Sequence, residues 1–272
     1  MTDVDIAGVQ LKVAALTDTG LRRANNEDAL LTHGAAFVVA DGMGGYDLGE
    51  LASAAVVDAF REQFAADALG DFHSVRAALL DADDRVAIIA ASTERGAGST
   101  ATGVVLVEHE SQLCWLVFNV GDSRVYRHFD GELVQLTRDH SLGRELVDSG
   151  QLAQEDLPTF AGKNVITRAI GAHDSLADSW LVPVVTGERL LLCSDGLHGE
   201  LDDETIGAIL TMSGKVETAA RALVERANAH GGRDNVTVVV IDVVSGGASD
   251  PIDPQTGMAS LDLSELDDTL TS

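Results

Sequence analysis

Short apolar runs recur along the chain and predict most of its β-structure. Each run is rich in Val and Leu and is bounded by Gly, Asp or Asn, as is typical of strands. The runs cover residues 9–16, 35–40, 100–108, 112–120, 123–129, 189–193 and 236–243. After the run at 123–129, Asp130-Gly131 lies between strand-like segments and predicts a two-residue hairpin turn. Consecutive strands joined by such turns indicate antiparallel sheets.

Apolar residues at three- and four-residue spacing predict four helices. The first begins near Leu48, and the second covers residues 73–93. Their apolar positions are Leu48, Leu51, Ala52, Ala55, Val56, Ala59 and Phe60 in the first, and Val75, Leu79, Ala82, Val86 and Ile89 in the second. A shorter helix follows the N-cap candidate Asp202, and a last helix ends at Gly231-Gly232. Each of the two long helices has a single apolar face, so we expect it to pack on a sheet.

This order of elements predicts an α+β domain of stacked sheets and helices. The domain covers residues 1–244, with its folded elements over roughly 6–244. After residue 244 the composition changes to Gly, Pro and Ser with six acidic residues and no basic one. We expect residues 245–272 to form a disordered acidic tail. Leucines alternate with acids over residues 261–270, so docking on a partner or back on the domain remains open.

The overall charge limits the partners. The 272 residues include 18 Lys and Arg against 44 Asp and Glu, a net charge of −26. Such a surface repels phosphate backbones and anionic lipids, so we expect neither a nucleic acid nor a membrane partner. Cys114 and Cys193 lie in apolar runs and indicate reduced core residues. The acidic N-terminus lacks the apolar segment of a signal peptide, so we expect a cytoplasmic protein.

Four aspartates lie next to strong strand patterns. Asp41, Asp122 and Asp195 each follow an apolar run and adjoin a glycine, and Asp234 precedes another run. If the sheets bring these positions together, two carboxylates about 4 Å apart repel by about 4 kcal/mol at an effective dielectric constant of about 20. Protonation or cations must relieve that repulsion, and all-oxygen ligands favour Mg²⁺ or Mn²⁺. We expect Gly42 to let its backbone carbonyl approach such a metal.

One stretch near the N-terminus combines basic and acidic residues. The sequence GLRRANNEDAL contains Arg23, Glu27 and Asp28. An arginine in this setting can bind an anionic substrate through two hydrogen bonds. Alternatively, Arg23 neutralises Glu27 or Asp28. The residues by themselves leave both interpretations open.

An ordered series of motifs resembles a known family. The segments RRANNED, VVADGMGG, GAGSTATGVV, VGDSRVYR, LTRDHS, NVITRAIG, CSDGLHGEL and GGRDNVTVVVI are similar to those of the metal-dependent serine/threonine phosphatases of the protein phosphatase 2C type, most of all the bacterial stand-alone members. They follow the family's order from Arg23 to Ile241. The resemblance implies a four-layer α-β-β-α sandwich, in which helices flank two antiparallel sheets and a metal cluster lies at one edge.

The resemblance also implies roles for individual residues. Asp41 would bridge two Mg²⁺ or Mn²⁺ ions, one of them also bound by the Gly42 carbonyl. Asp195 and Asp234 would bind the other ion, and Asp122 would share a possible third ion with Asp195. The remaining implied roles are Glu27 and Asp28 holding waters on the metals, Asn235 supporting the site, Arg23 binding the phosphate and residues 140–166 forming a variable flap.

The implied activity is hydrolysis of phosphoserine and phosphothreonine in proteins by a metal-activated water. The implied partners are phosphoproteins and a cognate bacterial Ser/Thr kinase, and we expect a monomer. The chain has Met43 where many eukaryotic members have a histidine that protonates the leaving group, so the source of that proton is open. A narrower substrate, a phosphorylated anti-sigma antagonist, ranks lower because no sensor domain is visible.

Two other classes of function remain as alternatives. The GDS sequence at Ser123 and the later DGLH at Asp195 and His198 mimic blocks of a serine esterase. In such esterases the GDS sequence normally lies near the N-terminus, and this chain also lacks their G-x-N-D block. The other alternative is a catalytically inactive phosphatase fold that serves as a binding or regulatory module.

Overall fold

The computed structural model describes residues 1–44, 47–92, 94, 96–248, 259–261 and 263. The strands are β1 Thr2–Ile6, β2 Val9–Asp18, β3 Asp28–His33, β4 Ala36–Gly44, β5 Ala97–Ser99, β6 Ala101–His109, β7 Gln112–Val120, β8 Arg124–Phe129, β9 Glu132–Gln135, β10 Asp178–Pro183, β11 Arg189–Cys193, β12 Val236–Ser245 and β13 Ala259–Leu261. The helices are α1 Leu48–Gln63, α2 Phe72–Ala91, α3 Leu142–Asp148, α4 Asp195–His198, α5 Asp203–Met212 and α6 Val216–His230, with a 3₁₀ helix at Gln154–Thr159.

The described strands form two antiparallel sheets. In the first sheet the order is β1-β2-β12-β11-β8-β9, and in the second it is β13-β10-β7-β6-β4-β3, with β5 pairing with β4 beside it. Strands far apart in sequence therefore meet in the middle of each sheet, as β2 does with β12. Ends of distant strands are thereby placed near one another.

Helices cover the outer face of each sheet, so the predicted α-β-β-α sandwich is confirmed. Helices α1 and α2 pack on the second sheet, and α5 and α6 pack on the first. One apolar cluster joins both sheets to α1 and α2, and a second fills the space between the first sheet and α4–α6. Burying two such layers is the main stabilising contribution to folding.

The seven predicted strands and the hairpin are confirmed, with one change at a site residue. Strand β4 does not end before Asp41 but continues to Gly44, because β5 pairs with Gly42–Gly44. In the predicted hairpin, Phe129 pairs with Glu132, and Asp130 and Gly131 have φ of +50° and +82°. Those angles are the ones a type I′ turn requires.

The apolar runs of the sequence did not include strands β1, β3, β9 and β10 or the three-residue β5 and β13, although the hairpin turn implied a strand at β9. The first four are short and less apolar, and β10 ends in Pro183. Their pairing partners, rather than their own pattern, hold them extended, since strand preference depends on context. β3, for example, pairs along its full length with β4.

The helix predictions agree closely with the structure. Helix α2 begins after Asp71, whose carboxylate accepts a hydrogen bond from the Ser74 N–H at 2.7 Å, and α5 is capped by Asp202 as predicted. The predicted end of α2 at Thr93 lies outside the described residues, and the helix ends at Ala91. In α1 the predicted apolar position Leu51 is 53% exposed.

Most of the predicted tail, residues 245–272, lies outside the described residues. The parts that the structure describes return to the domain. Residues 259–261 form β13, which pairs antiparallel with β10, and Leu263 is buried. These positions match the alternative in which the acidic segment docks on its own domain. In the described part of the chain, no helix is both long and apolar enough to cross a bilayer.

Candidate active site

Acidic side chains from both sheets converge at one edge of the sandwich. Asp28 and Asp41 face each other across the β3–β4 pair, and Asp122 lies in the turn between β7 and β8. Asp195 opens α4 after β11, and Asp234 precedes β12. The interleaved strand order brings these five positions together, as the sequence predicted for four of them.

Their pKa values reflect burial among like charges. Burial, and then the charges of Asp28, Asp195, Asp122 and Asp234, raise the pKa of Asp41 well above its usual range. Burial raises the pKa of Asp28 to about 7 and that of Asp195 to about 6. Burial and the charge of Asp195 raise the pKa of Asp122 strongly. A buried group of carboxylates thus resists ionisation unless positive charge is supplied.

Several carboxylate oxygens at this edge have no partner. Oδ1 of Asp28, Oδ1 of Asp122 and Oδ1 of Asp195 are each buried and accept no hydrogen bond. Buried polar atoms are almost always hydrogen-bonded, so three such oxygens at one edge call for an explanation. Unpaired carboxylate oxygens are the ligands that hard divalent cations use.

Arg23 pairs with Asp234 rather than with Glu27 or Asp28. Its Nη2 donates a hydrogen bond to Asp234 Oδ2 at 2.6 Å, and both side chains are partly exposed. Of the two roles that the sequence left open for Arg23, the neutralising one is therefore directed at Asp234, which is itself a predicted site residue. A guanidinium at the mouth of the acidic edge is also placed to meet an anion there.

The acidic edge does not form a finished metal cage in the arrangement described. Among residues 1–44, 47–92, 94, 96–248, 259–261 and 263, no three Asp, Glu, His or Cys side chains are grouped so that they could hold a metal ion as they stand. The pairing of Asp234 with Arg23 draws that carboxylate to a cation within the chain. Mutual repulsion also keeps the remaining carboxylates apart, which likewise opposes a closed set of metal ligands.

Gly42 allows a close approach of backbone to backbone. A Cβ at this position would lie 2.0 Å from the Gly49 carbonyl oxygen and 2.7 Å from that of Glu27. The Gly42 N–H donates to the Glu27 carbonyl at 3.1 Å. The first turn of α1 and the Glu27 loop therefore pack directly on β4, which gives this glycine a packing role that the sequence did not predict.

Asn235 holds the N-terminal loop against the edge. Its Oδ1 accepts the Glu27 N–H at 2.8 Å, and its Nδ2 donates to the carbonyls of Thr19 and Asn25, each at 2.9 Å. The predicted supporting role of Asn235 thus has a physical basis, because this amide fixes the loop that carries Arg23 and Glu27. Burial raises the pKa of Glu27.

Two hydroxyl residues at the edge were missed by the sequence reasoning. Ser194 donates its Oγ–H to Asp28 Oδ2 at 2.7 Å, and Thr100 Oγ1 accepts the Asp41 N–H at 2.9 Å. Ser194 directly precedes Asp195, and Thr100 directly follows β5. Both lie within motifs of the family resemblance, Thr100 in GAGSTATGVV and Ser194 in CSDGLHGEL, but neither hydroxyl was assigned a role.

The geometry does not support a serine esterase. Ser123 is fully buried, and its hydroxyl is hydrogen-bonded to Thr100 Oγ1 at 2.9 Å. His198 directs its Nε2 to the Asp122 carbonyl at 3.0 Å, and burial lowers the pKa of His198 to about 3. A catalytic serine needs a base within hydrogen-bond reach of an accessible hydroxyl. The esterase alternative is therefore wrong.

A separate groove lies between α2 and β10. Its volume is about 570 Å³, and Arg76, Arg138, Arg168, Trp180 and Leu263 contribute to its wall. None of the predicted metal, phosphate-binding or supporting residues lines it. The groove is therefore separate from the predicted metal and phosphate-binding residues.

Comparison with known proteins agrees with this fold. A family model described as Protein phosphatase 2C matches residues 22–235. The chain belongs to the protein phosphatase 2C family.

Individual relatives are bacterial phosphatases. The chain is 39% identical over 241 residues to the serine/threonine protein phosphatase PstP of Mycobacterium tuberculosis, covering 86% of this chain and 45% of that protein. The chain thus spans under half of PstP. It is 33% identical over 241 residues to the serine/threonine phosphatase stp of Listeria monocytogenes, covering 83% of this chain and 93% of that protein.

Solved structures show the same architecture. A crystal structure of M. tuberculosis PstP superposes with a TM-score of 0.80 at 35% identity, covering 87% of this chain and 100% of that one. A second structure, the PstP catalytic domain in complex with two manganese ions, gives a TM-score of 0.78 at 35% identity, covering 87% of this chain and 99% of that one.

Proposed function

We propose that this protein hydrolyses phosphoserine and phosphothreonine in other proteins and depends on divalent metal ions. The single observation that carries the proposal is the group of buried, partnerless carboxylate oxygens on Asp28, Asp122 and Asp195 at one edge. Membership of the protein phosphatase 2C family and the similarity to named serine/threonine phosphatases support the same reaction.

The donor chemistry of this edge, buried carboxylate oxygens without a hydrogen-bond partner, suits such ions. Asp41 would bridge two of them, with the Gly42 carbonyl on one and Asp195 and Asp234 on the other. Asp28 and Glu27 would hold waters beside them. Burial, and then the neighbouring negative charges, raise the pKa values of Asp28, Asp41 and Asp195, and a bound cation would offset those charges by favouring the ionised carboxylates. The similar PstP catalytic domain forms a complex with two manganese ions, which supports the same number here.

The chain's own residues supply binding and orientation. When bound, divalent ions at this edge would neutralise phosphate charge and activate a water for attack on phosphorus. Arg23, which lies at the mouth of the edge beside Asp234, would bind the phosphate oxygens. Asn235 keeps the loop of Arg23 in place through three hydrogen bonds. Neither cysteine can act as a nucleophile, because both are buried.

The finer assignments extend the same proposal. Either Mg²⁺ or Mn²⁺ would serve, and Asp122 with Asp195 would bind a third, weaker ion. The substrates would be phosphoproteins modified by a cognate Ser/Thr kinase, and the enzyme would act as a cytoplasmic monomer. The catalytic domain would span residues 1–244, with β13 and Leu263 of the following segment packed back on it.

Replacing Asp41 with asparagine tests the proposal most directly. Asp41→Asn keeps the shape of the side chain but removes the bridging charge. We expect Mn²⁺-dependent hydrolysis of para-nitrophenyl phosphate and of a phosphothreonine peptide to fall at least about 100-fold, in line with the loss of a central electrostatic group. Calorimetry should show weaker Mn²⁺ binding in the same variant.

A matched control is Asp84→Asn, since Asp84 is an exposed acid on α2. This variant should hydrolyse both substrates at the wild-type rate. Full activity in Asp41→Asn would contradict the bridging role. Tight Mn²⁺ binding by the wild type without turnover of any phosphoester would favour the alternative of an inactive binding module.

A further inference from the structure

Two histidines hydrogen-bond to the backbone of residues 121 and 122, His140 to Gly121 and His198 to Asp122. His140 is 5% exposed and follows the β8–β9 hairpin, whereas His198 ends α4. Between them lies Asp122, which is 6% exposed and whose Oδ1 is buried without a hydrogen-bond partner. Nothing in the metal and phosphate roles given above uses either histidine.

His140 holds Gly121 through both its backbone and its ring. Its N–H donates to the Gly121 carbonyl at 2.8 Å, and its Nδ1 accepts the Gly121 N–H at 3.2 Å. Since Nδ1 accepts, the ring proton of neutral His140 is on Nε2, which lies 3.1 Å from Asp178 Oδ2. Arg168 also approaches Nε2, at 3.3 Å, but makes a shorter contact of 2.8 Å with Asp178.

His198 holds the other side of the same segment. Its Nε2 lies 3.0 Å from the Asp122 carbonyl oxygen. A carbonyl can only accept, so Nε2 of His198 must carry the proton. The two rings therefore fix successive residues, His140 at Gly121 and His198 at Asp122.

The turn that they hold is itself constrained. Gly121 has φ of +107°, and a Cβ there would meet Thr100 Cγ2 at 2.6 Å. Asn119 adds a hydrogen bond from its Nδ2 to the Gly121 carbonyl at 3.0 Å. The buried Oδ1 of Asp122 has no hydrogen bond of its own, so the direction of its side chain depends on the backbone beneath it.

We propose that His140 and His198 are positioning residues that fix the backbone of Asp122, so that its carboxylate faces the acidic edge and sets the affinity for the weaker cation. Both histidines act on the backbone of residues 121 and 122 rather than on the metal or the substrate directly. The inference rests on the proposed function, in which Asp122 binds that ion. Like-charge repulsion from Asp195 would otherwise turn the Asp122 carboxylate away from the edge.

Paired substitutions distinguish loss of the hydrogen bond to the backbone from a change in side-chain volume. In His140→Asn the side-chain oxygen can still accept the Gly121 N–H, and in His198→Gln the amide can still donate to the Asp122 carbonyl. His140→Ala and His198→Leu can do neither. The matched control is His173→Ala, which changes an exposed histidine outside the site. Each protein is titrated with Mn²⁺ by calorimetry, so the readout is binding and not turnover.

We expect His140→Ala and His198→Leu to raise the dissociation constant of the weakest Mn²⁺ about 10-fold or more, the effect usual for groups that orient ligands. The two tighter ions should change less than about 3-fold, and His140→Asn and His198→Gln should restore the weak ion to within about 3-fold. His173→Ala should match the wild type. If the dissociation constant of the weakest Mn²⁺ is unchanged in both disruptive variants, the inference is overturned.

Asp122→Asn distinguishes the two levels of the proposal. If it abolishes the weak ion but the histidine variants do not, positioning by the histidines is wrong while the metal assignment stands. If Asp122→Asn leaves the weak ion unchanged, the assignment of Asp122 is wrong and the inference falls with it. Two tight ions in every variant would keep the proposed function intact in both cases.

The wild-type protein offers a second test that needs no substitution. Long-range ¹H–¹⁵N NMR spectra at neutral pH report which ring nitrogen carries the proton. We expect both His140 and His198 to show the Nε2–H tautomer, with slow exchange of the Gly121 amide. An Nδ1–H tautomer at either residue would remove the contact that the inference requires and would overturn it even if the disruptive variants failed to fold.

Discussion

Glu188 and Asp41 are both buried carboxylates, but their surroundings differ. Glu188 is 1% exposed, and its Oε2 lies 2.7 Å from Nε of the buried Arg127. Its Oε1 accepts hydrogen bonds from Trp115 Nε1 and the Val185 N–H, each at 2.9 Å. The charges that act on Asp41 most strongly are instead other aspartates, with Asp28 and Asp195 first.

The difference separates a structural charge from a functional one. The Glu188 cluster joins β7 of one sheet to β8 of the other with its charge balanced inside the chain. The acidic edge leaves its negative charge unbalanced, and such an arrangement lowers stability unless something outside the chain compensates for it. Buried acids with a partner in the chain therefore indicate structure, whereas buried acids without one indicate a site.

The largest effect on stability is expected when Glu188 is substituted, and its absence would contradict the comparison. Glu188→Gln leaves the Arg127 guanidinium buried without its counter-charge, and we expect the free energy of unfolding to fall by about 3–5 kcal/mol. Urea denaturation measures this loss. Mn²⁺ binding by the folded variant should stay at the wild-type level, and a loss of stability below about 1 kcal/mol would mean that the pair is not structural.

The next effect concerns pH at the acidic edge. Burial raises the pKa of Asp28 to about 7 in the folded protein, from 3.8 in the unfolded chain. The folded state therefore binds the proton more tightly, and the stability that Asp28 contributes falls as pH rises from about 4 through about 7. Asp28→Asn removes this penalty. In the presence of a chelator we expect it to be near neutral at pH 4 and stabilising at pH 8.

The size of that difference is bounded by about 1.4 kcal/mol for each pKa unit. Comparing the variant with the wild type at each pH cancels titrations that the two share, such as that of His198, whose lowered pKa acts in the opposite direction. With saturating Mn²⁺ the order at pH 8 should reverse, because the wild type binds the metal more tightly than the variant and gains more stability from it. A difference that does not depend on pH would show that Asp28 is not the titrating acid.

The smallest effect on stability is expected at Arg23, whose ion pair lies at the acidic edge but is partly exposed. Arg23 and Asp234 form an ion pair that is partly exposed, so Arg23→Ala should change the free energy of unfolding by at most about 1 kcal/mol. Its effect should appear in function instead, as a rise in KM that exceeds the fall in kcat for a phosphothreonine peptide. An unchanged KM would contradict phosphate binding by Arg23.

The apolar patterns predicted a layered α+β domain and the acidic edge for physical reasons, whereas the four-layer sandwich came from the family resemblance. Asp41, Asp122, Asp195 and Asp234 stood beside apolar runs, so their position relative to the strands could be predicted before any pairing was known. Arg23 stood out beside Glu27 and Asp28 in the sequence itself, with its role left open. The roles of Glu27 and Asp28 on the metals, and the choice of Asn235, came from the family resemblance. The order of strands, which decides that these ends meet, depends on long-range pairing such as that of β2 with β12.

Other features could not be predicted from local pattern. The contact of Arg23 with Asp234 joins residues 211 positions apart, and the hydrogen bond from Ser194 to Asp28 joins residues 166 apart. The extension of β4 beyond Asp41 depends on the three-residue β5, which has too few residues to show a periodicity. Such features arise from tertiary contact and appear only once the sheets are assembled.

The pairing of β13 with β10 has a consequence for how molecules of this protein meet. Without residues 259–261, β10 would be the outermost strand of its sheet and would present a row of free N–H and C=O groups. Such a row is a template on which a strand from another molecule can add. By pairing its own segment there, the chain guards against self-association, and trimming that segment would favour polymers at high concentration.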